Sequence, residues 1–354
     1  MLTFVYFIVI LGVIITIHEI GHLIAAKFFG VYCHEFAIGF GPKIFSKKTK
    51  ETTYSLRLLP LGGFVSMAGE GNVDTTDIPI TRTLKGINPF KRIVVMASGI
   101  VLNLVLGFIL FILLFTFLGQ RVEPPQPIIE TVFVNGPAEN AGILAGDRVR
   151  EVILYDGSQL IPDNGIQMLQ FLSGNTREVT FVLDRAGSRV VISLTPEYNV
   201  EQGRYMIGIS IPQGEVVQMN LLESVQHGIA QGLFAMSAVF MAIIRLIQGT
   251  GFGDLAGPIG ILSVTNDMVT QAPTATDLIA NLLNLTAFLS INVAVFNLLP
   301  LPIFDGGRIL ITIVEIIINR PVNKKLEEAL MMISLALILL LFAFVMWQDI
   351  TRLF

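Results

Sequence analysis

The sequence predicts a polytopic α-helical membrane protein with four transmembrane helices and one inserted β-rich domain. Of its 354 residues, 53% are hydrophobic and 14% are charged, whereas soluble domains average about 45–50% apolar and 25% charged residues. Four apolar runs reach the length of about 20 residues that a bilayer span requires. The net charge of −4 without a basic cluster excludes nucleic acid as an expected partner. The single cysteine, Cys33, excludes a disulfide framework and a cysteine-based zinc site.

The predicted spans lie at both ends of the chain. The four apolar runs cover residues 2–29, 93–118, 282–299 and 329–347. They predict one transmembrane helix within residues 1–30, a second within 92–119, and a third and fourth within 281–354. Leu221–Ile247 is also apolar, but it carries Gln226, His227, Gln231 and Arg245. Residues 213–280 are therefore predicted to form an interfacial amphipathic connector that does not span.

The charge distribution predicts the orientation of these spans. Residues 27–92 contain ten Lys or Arg, whereas residues 120–220 contain seven Arg, no Lys and twelve acidic residues. Because cytoplasmic loops are enriched in Lys and Arg, the first segment is predicted on the cytoplasmic side and the second on the outer side. Four crossings satisfy this distribution if the third span runs inward, and a fifth crossing would reverse it.

The segment 120–212 is predicted to be the inserted domain. Hydrophobicity falls there to short runs separated by turn residues. The segments 136–143 (GPAENAGI) and 146–149 (GDRV) resemble the PDZ family. This resemblance implies a peptide-binding strand for C-termini, and we predict it at Met206, Ile207, Gly208 and Ile209. The alternative is a β-rich domain that only blocks access.

The first apolar run contains the motif His18-Glu19-Ile20-Gly21-His22. On a helix, positions i and i+4 share one face about 6 Å apart along the axis, so both imidazoles can bind one Zn²⁺. Glu19 can then reach a metal-bound water as general base without ligating the metal. Since ionisable residues are costly inside a membrane, the motif predicts a zinc site rather than a structural polar cluster.

A catalytic zinc site usually has three protein ligands and an open position. Asp305 is the predicted third ligand because it follows a helix break at Pro300 and Pro302. At the inner end of an inward-running span it would lie at the same depth as the two histidines. His34 and His227 are the other candidates by element, and Asp305 could alternatively only cap the helix that follows it.

The motif in the first span, together with the distant pattern Asn297-x-x-Pro-x-Pro-x-x-Asp305-Gly-Gly, resembles the site-2 protease family of intramembrane zinc metalloproteases. The similarity covers essentially the whole chain and is greatest to bacterial members with a single PDZ insert. It implies that residues 31–91 form a cytoplasmic-side, membrane-associated β-element that includes Gly62 and Gly63 as substrate-binding residues. It also implies that Asn297 binds substrate, for which the alternative is helix–helix packing.

The resulting prediction is an intramembrane zinc metalloendopeptidase of the bacterial cytoplasmic membrane. Its active site would lie toward the cytoplasm and its PDZ domain on the outer side. By resemblance, its substrates would be single-span membrane proteins such as anti-sigma factors or signal-peptide remnants. The alternatives are a membrane-anchored metallopeptidase with a soluble site and a downstream glutamate ligand, and a non-proteolytic zinc-binding membrane scaffold or transporter.

Overall fold

The computed structural model describes residues 2–70, 76–199 and 204–351. The predicted ranges for the first span, the β-element, the PDZ domain and the last span also include residues 1, 71–75, 200–203 and 352–354, which lie outside the described residues. The chain divides into two compact units. One combines Met1–Leu118 with Leu221–Phe354, and the other is Gly119–Asn220. The two units are described separately.

Helices dominate the first unit. In chain order, the helices of the protein are α1 (Leu2–Phe28), α2 (Pro89–Leu118), α3 (Pro137–Asn140), α4 (Gly165–Leu172), α5 (Leu221–Ile247), α6 (Pro258–Thr270), α7 (Ala275–Asn297), α8 (Asp305–Ile318) and α9 (Lys324–Thr351). Only α3 and α4 belong to the second unit. The described residues contain five helices long and apolar enough to cross a membrane, which are α1, α2, α5, α7 and α9. The protein is therefore a polytopic membrane protein, and the predicted number of four spans is not confirmed.

The additional candidate is α5, which was predicted to lie at the interface. It packs lengthwise and antiparallel against α2, since a Cβ on Gly228 would meet Ile112 and a Cβ on Gly232 would meet Phe108 one turn further along. Small residues at such contacts let two helix backbones approach closely in a membrane. Although α5 carries the polar residues that suggested an interfacial helix, it contains an 18-residue window with a mean hydropathy of 1.8. The helix is therefore apolar enough to be a candidate span.

A fifth crossing was expected to reverse the direction of the span that leads to Asp305, and the position of the short helix α6 shows how this is avoided. The Thr3 hydroxyl donates to Asn266 Oδ1 at 3.1 Å, and the Asn281 amide donates to the Met268 carbonyl at 3.1 Å. The end of α6 and the start of α7 therefore lie near the amino end of α1. Below this level, Ile10 and Ile14 pack against Leu285 and Leu289. As a result, α7 runs parallel to α1.

A curved antiparallel sheet follows α1 and is formed by β1 (Cys33–Lys48) and β2 (Thr53–Met67). Each strand is bent, so that different parts of it pair with different parts of the other strand. Residues 33–40 pair with 59–67 on one side and with 53–56 on the other, and residues 43–48 pair with 53–57. Among the described residues, 59–67 therefore forms an edge segment with one strand neighbour. Gly12 of α1 lies beside this segment, because a Cβ there would be 3.8 Å from the Pro60 carbonyl oxygen.

The second unit is a small β-rich domain. Its strands are β3 (Gln120–Glu123), β4 (Thr131–Val132), β5 (Arg148–Leu154), β6 (Gln159–Leu160), β7 (Val179–Arg185), β8 (Ser188–Leu194), β9 (Glu197–Asn199), β10 (Arg204–Met206), β11 (Ile209–Ser210) and β12 (Glu215–Gln218). The central sheet has the order β6-β5-β7-β8. Its core includes Phe181, Leu183 and Met168, all fully buried. The unit extends past the predicted boundary at 212, because β12 pairs with β3.

The predicted peptide-binding strand at 206–209 is interrupted in the structure. Met206 ends β10, which pairs with β9, and Ile209 begins β11, which pairs with β4. Between them, Gly208 adopts a φ of +80°, a left-handed conformation that breaks a regular strand. The Ile207 carbonyl accepts from Ala138 N–H and the Gly208 carbonyl accepts from Phe133 N–H. The prediction of one continuous strand is therefore wrong at its centre.

Candidate metal centre and active site

His18 and His22 lie on one face of α1 and are buried against α2. They are 8% and 5% exposed, and their Nε2 atoms are 3.2 Å apart. The other ring nitrogen of His22, Nδ1, lies 2.9 Å from the Val95 carbonyl oxygen of α2. Because a carbonyl only accepts, Nδ1 carries the proton and the Nε2 lone pair is free for a metal.

Asp305 reaches the two histidines from the other end of the chain. The segment between α7 and α8 turns sharply enough that a Cβ on Gly307 would lie 2.2 Å from the Leu301 carbonyl carbon. This contact explains why position 307 is a glycine. Asp305 is the first residue of α8, whose N-cap is Phe304, and no side-chain capping hydrogen bond is present there. The carboxylate is therefore not used as a helix cap, which was the alternative to a metal site.

The three side chains form a nearly equilateral triangle of ligand atoms. Asp305 Oδ2 lies 3.1 Å from His18 Nε2 and 3.2 Å from His22 Nε2. Tetrahedral zinc with bonds of about 2.0–2.1 Å holds its ligand atoms about 3.3–3.4 Å apart. In addition, Asp305 Oδ2 is buried and has no hydrogen-bond partner among the described residues. A cation at the centre of the triangle would satisfy it, so this donor set fits zinc.

Gly99 of α2 gives the histidines the space they occupy. A Cβ on Gly99 would lie 2.5 Å from His22 Nε2 and 2.8 Å from His18 Cε1, which is closer than nonbonded atoms approach. On the opposite helix, a Cβ on Gly21 would lie 2.5 Å from the Ser98 carbonyl oxygen. The α1–α2 contact at the metal centre therefore depends on two glycines. The sequence contained the one at position 21 within the motif, whereas the contact of position 99 with the histidines becomes visible only in the packing of α2.

Glu19 lies between the metal centre and the edge segment of the β1–β2 sheet. Its carboxylate interacts electrostatically with His18, His22 and Asp305. A Cβ on Gly63 would lie 3.4 Å from Glu19 Cγ, so Gly63 is in contact with the motif. Gly62, its neighbour in β2, has a φ of +126°, which favours glycine. An extended peptide laid along this edge would pass beside Glu19.

The remaining predicted site residues lie elsewhere. Asn297 is the last residue of α7, eight positions before Asp305, and its Nδ2 donates to the Val293 carbonyl at 2.9 Å. His34 packs its ring against Tyr32, and His227 packs its ring against Phe115. Neither histidine belongs to the one cluster of potential metal ligands found among the described residues, which consists of His18, His22 and Asp305.

Three ion pairs that the sequence did not reveal surround a cavity of about 230 Å³ next to α8. They are Arg308–Glu70, Arg92–Glu315 and Lys85–Glu327. Together they connect α2, α8 and α9 to the segment between β2 and α2. Since Arg308 lies one turn after Asp305, these pairs help to fix the helix that carries the carboxylate.

Comparisons with known proteins identify the family of the chain. The sequence matches Peptidase family M50 over residues 6–341. It is 35% identical to a putative zinc metalloprotease of Clostridium perfringens, with 95% of each chain covered. It is 30% identical to the zinc metalloprotease RasP of Bacillus licheniformis and 28% identical to the regulator of sigma-W protease RasP of Bacillus subtilis, with 99% of each chain covered in both cases.

The family match covers almost the entire chain and includes both ends of the ligand triangle. The resemblance found from the two motifs is thereby confirmed, as is the prediction of a zinc enzyme. The chain belongs to peptidase family M50, the site-2 protease family of intramembrane zinc metalloproteases.

Proposed function

We propose that His18, His22 and Asp305 hold the catalytic zinc of this protease and that Glu19 is its general base. The observation that carries the proposal is the triangle of ligand atoms with sides of 3.1–3.2 Å. Its three members come from positions 18, 22 and 305, and all three are buried. A scaffold or transporter would not need Glu19 beside this triangle. The proteolytic function therefore explains the site better than the non-proteolytic alternative.

The chemistry divides between the metal and the protein. When bound, zinc lowers the pKa of a water ligand to about 7 and polarises a carbonyl oxygen. Glu19 takes one proton from the attacking water as its oxygen adds to the scissile carbonyl carbon. Glu19 then gives this proton to the amide nitrogen as the C–N bond breaks, so one carboxylic acid and one amine are released.

A transmembrane substrate must unwind locally before its peptide bond is reached, and the freed backbone groups need partners. We assign this role to the edge segment 59–67, where Gly63 adjoins Glu19 and Gly62 precedes it in the strand. Pairing with the edge would hold the substrate as an added strand. Asn297 would exchange its contact with the Val293 carbonyl for a substrate backbone group. The exposed apolar residues of the sheet, among them Ile44, Phe45 and Leu58, support contact with lipid.

Membrane orientation and substrate class belong to the same proposal. The excess of Lys and Arg in residues 27–92 supports a cytoplasmic location for the β-element and for the metal-site ends of α1 and α7. The inserted unit would then face the outside of a bacterial cytoplasmic membrane. The short turn-helix at 137–140, whose Ala138 N–H binds the Ile207 carbonyl, supports a PDZ fold. This domain would bind new C-termini or exclude bulky substrates.

The relative from Bacillus subtilis is named regulator of sigma-W protease RasP. By analogy, we propose that this enzyme cleaves single-span membrane proteins of the anti-sigma-factor type, and that signal-peptide remnants are a second class.

The test uses a tagged single-span substrate reconstituted with wild type or with Glu19→Gln. The wild type should yield two fragments that map to one peptide bond by mass spectrometry, and a zinc chelator should abolish them. Glu19→Gln should keep bound zinc and lose cleavage by at least about 100-fold, since general acid–base catalysis contributes about 10²–10⁴-fold. Equal cleavage by Glu19→Gln would remove the proposed base.

A further inference from the structure

The two histidines of the metal centre are oriented by different kinds of partner. His22 Nδ1 is held by a backbone carbonyl, that of Val95, at 2.9 Å. His18 Nδ1 faces a side chain, the carboxamide of Asn103 on α2, with 3.5 Å between Nδ1 and Nδ2. If the Nε2 atoms of both histidines bind metal, the Nδ1 atom of each ring must carry the proton. Each Nδ1–H then needs an acceptor.

Asn103 is placed to supply that acceptor. It is completely buried, at 0% exposure, and its Oδ1 has no hydrogen-bond partner among the described residues. Its backbone is anchored by Ser290 of α7, whose hydroxyl donates to the Asn103 carbonyl at 2.8 Å. A rotation of about 180° about the Cβ–Cγ bond exchanges the positions of Oδ1 and Nδ2 without moving the rest of the residue. The orphaned oxygen would then face the N–H of His18.

We propose that Asn103 is a positioning residue for the metal centre. Its carboxamide oxygen accepts a hydrogen bond from His18 Nδ1–H and thereby fixes the imidazole ring with Nε2 toward the zinc. The inference deepens the proposed function and rests on its assignment of His18 as a ligand. Outer partners of this kind typically change metal affinity by about 10–100-fold. Helix–helix packing, the alternative role of a buried asparagine, predicts a change in stability without a matching change in affinity.

The experiment measures zinc affinity of the full-length protein in detergent by competition with a chelator, together with the visible absorption of the Co²⁺-loaded protein. Four variants are compared: Asn103→Ala, Asn103→Asp, Asn281→Ala and His18→Ala. Alanine at 103 removes the acceptor while favouring the helix. Aspartate restores an acceptor but no donor. Asn281 is the matched control, because its amide makes one interhelical hydrogen bond, to Met268, away from the histidines.

Asn103→Ala should bind zinc about 10–100-fold more weakly and shift the Co²⁺ absorption bands, whereas Asn103→Asp should regain wild-type affinity within a few-fold. Asn281→Ala should lower thermal stability and leave zinc affinity unchanged. Wild-type affinity in Asn103→Ala, or an Asp variant as weak as the Ala variant, would overturn the inference. His18→Ala separates the two proposals: unchanged affinity in that variant contradicts the ligand assignment itself, while a loss there with no effect at position 103 contradicts only the role of Asn103.

Discussion

Gly99→Ala adds one methyl group at the closest approach of α2 to the metal centre. The new Cβ would lie 2.5 Å from His22 Nε2 and 2.8 Å from His18 Cε1, whereas nonbonded carbon atoms are optimally about 3.5–4.0 Å apart. The rings or the helix must therefore retreat by about 1 Å, and metal–ligand distances tolerate only about 0.2 Å. We expect the substitution to weaken zinc binding directly.

The size of the effect follows from the cost of overpacking, which is about 1–3 kcal/mol in a well-packed interior. If this free energy is expressed in metal binding, zinc affinity falls by about 5- to 160-fold. Gly12→Ala is the matched control on α1. Its Cβ would meet only the Pro60 carbonyl oxygen at 3.8 Å, an ordinary contact, and alanine in place of glycine favours a helix by about 1 kcal/mol.

The assay is a chelator-competition titration of both variants, purified in the same detergent, with thermal unfolding of the metal-free proteins as the measure of folding. Gly12→Ala should match wild type in zinc affinity. If Gly99→Ala also binds zinc with wild-type affinity, the imidazoles do not bind metal in the positions described, and the packing argument is refuted.

Three further results are expected. The Arg185 guanidinium and the Leu144 N–H lower the pKa of Asp147 below its ordinary 3.8, although burial opposes this. The resulting stability of the inserted domain should be present above about pH 4 and lost as the pH falls through the lowered pKa. Measured by hydrogen exchange, the stability of Asp147→Asn should depend less on pH than that of the wild type. Deletion of residues 124–212 should relax substrate choice and keep zinc-dependent cleavage, which a panel of substrates with outer domains of different size would measure; complete loss of cleavage would contradict a separable filter. Asp349 accepts hydrogen bonds from Gly257 N–H and Gly260 N–H at 3.2 and 2.8 Å; Asp349→Ala should destabilise α6 by about 1–3 kcal/mol, seen as faster exchange of its amides, and unchanged exchange would refute this contact.

The metal centre could be predicted from the sequence to the extent that local spacing determines it. His18 and His22 are four residues apart on a helix, so their shared face needs no tertiary information. Asp305 required more, namely a helix break and a parity argument from loop charges. That argument led to the carboxylate that lies beside the two histidines, although it excluded a fifth span for a reason that the structure does not support. The end of the short helix α6 lies near the amino end of α1. The hydropathy of the sequence does not predict this position.

Contacts that depend on tertiary packing could not be predicted. Gly99 is one of two glycines in the apolar run 93–118, and only the position of α2 makes it a contact of the histidines. For Asn103, the sequence leaves open whether it orients the site or packs between helices, and only its distance to His18 shows that it lies beside the site. The break at Gly208 also depends on partners distant in sequence, because the loop at 133–138 binds the carbonyls of residues 207 and 208. The PDZ resemblance suggested one strand where tertiary hydrogen bonds impose two.

Zinc X-ray absorption on the purified wild type and on Asp305→Ala tests the central proposal most directly. The wild type should contain about one zinc per chain, bound by two imidazole nitrogens at about 2.0–2.1 Å and by carboxylate or water oxygens, with no sulfur neighbour at about 2.3 Å. Asp305→Ala should lose most of this zinc at the same chelator concentration. Full zinc occupancy with an unchanged absorption spectrum in Asp305→Ala would show that the carboxylate from the far end of the chain does not bind the metal.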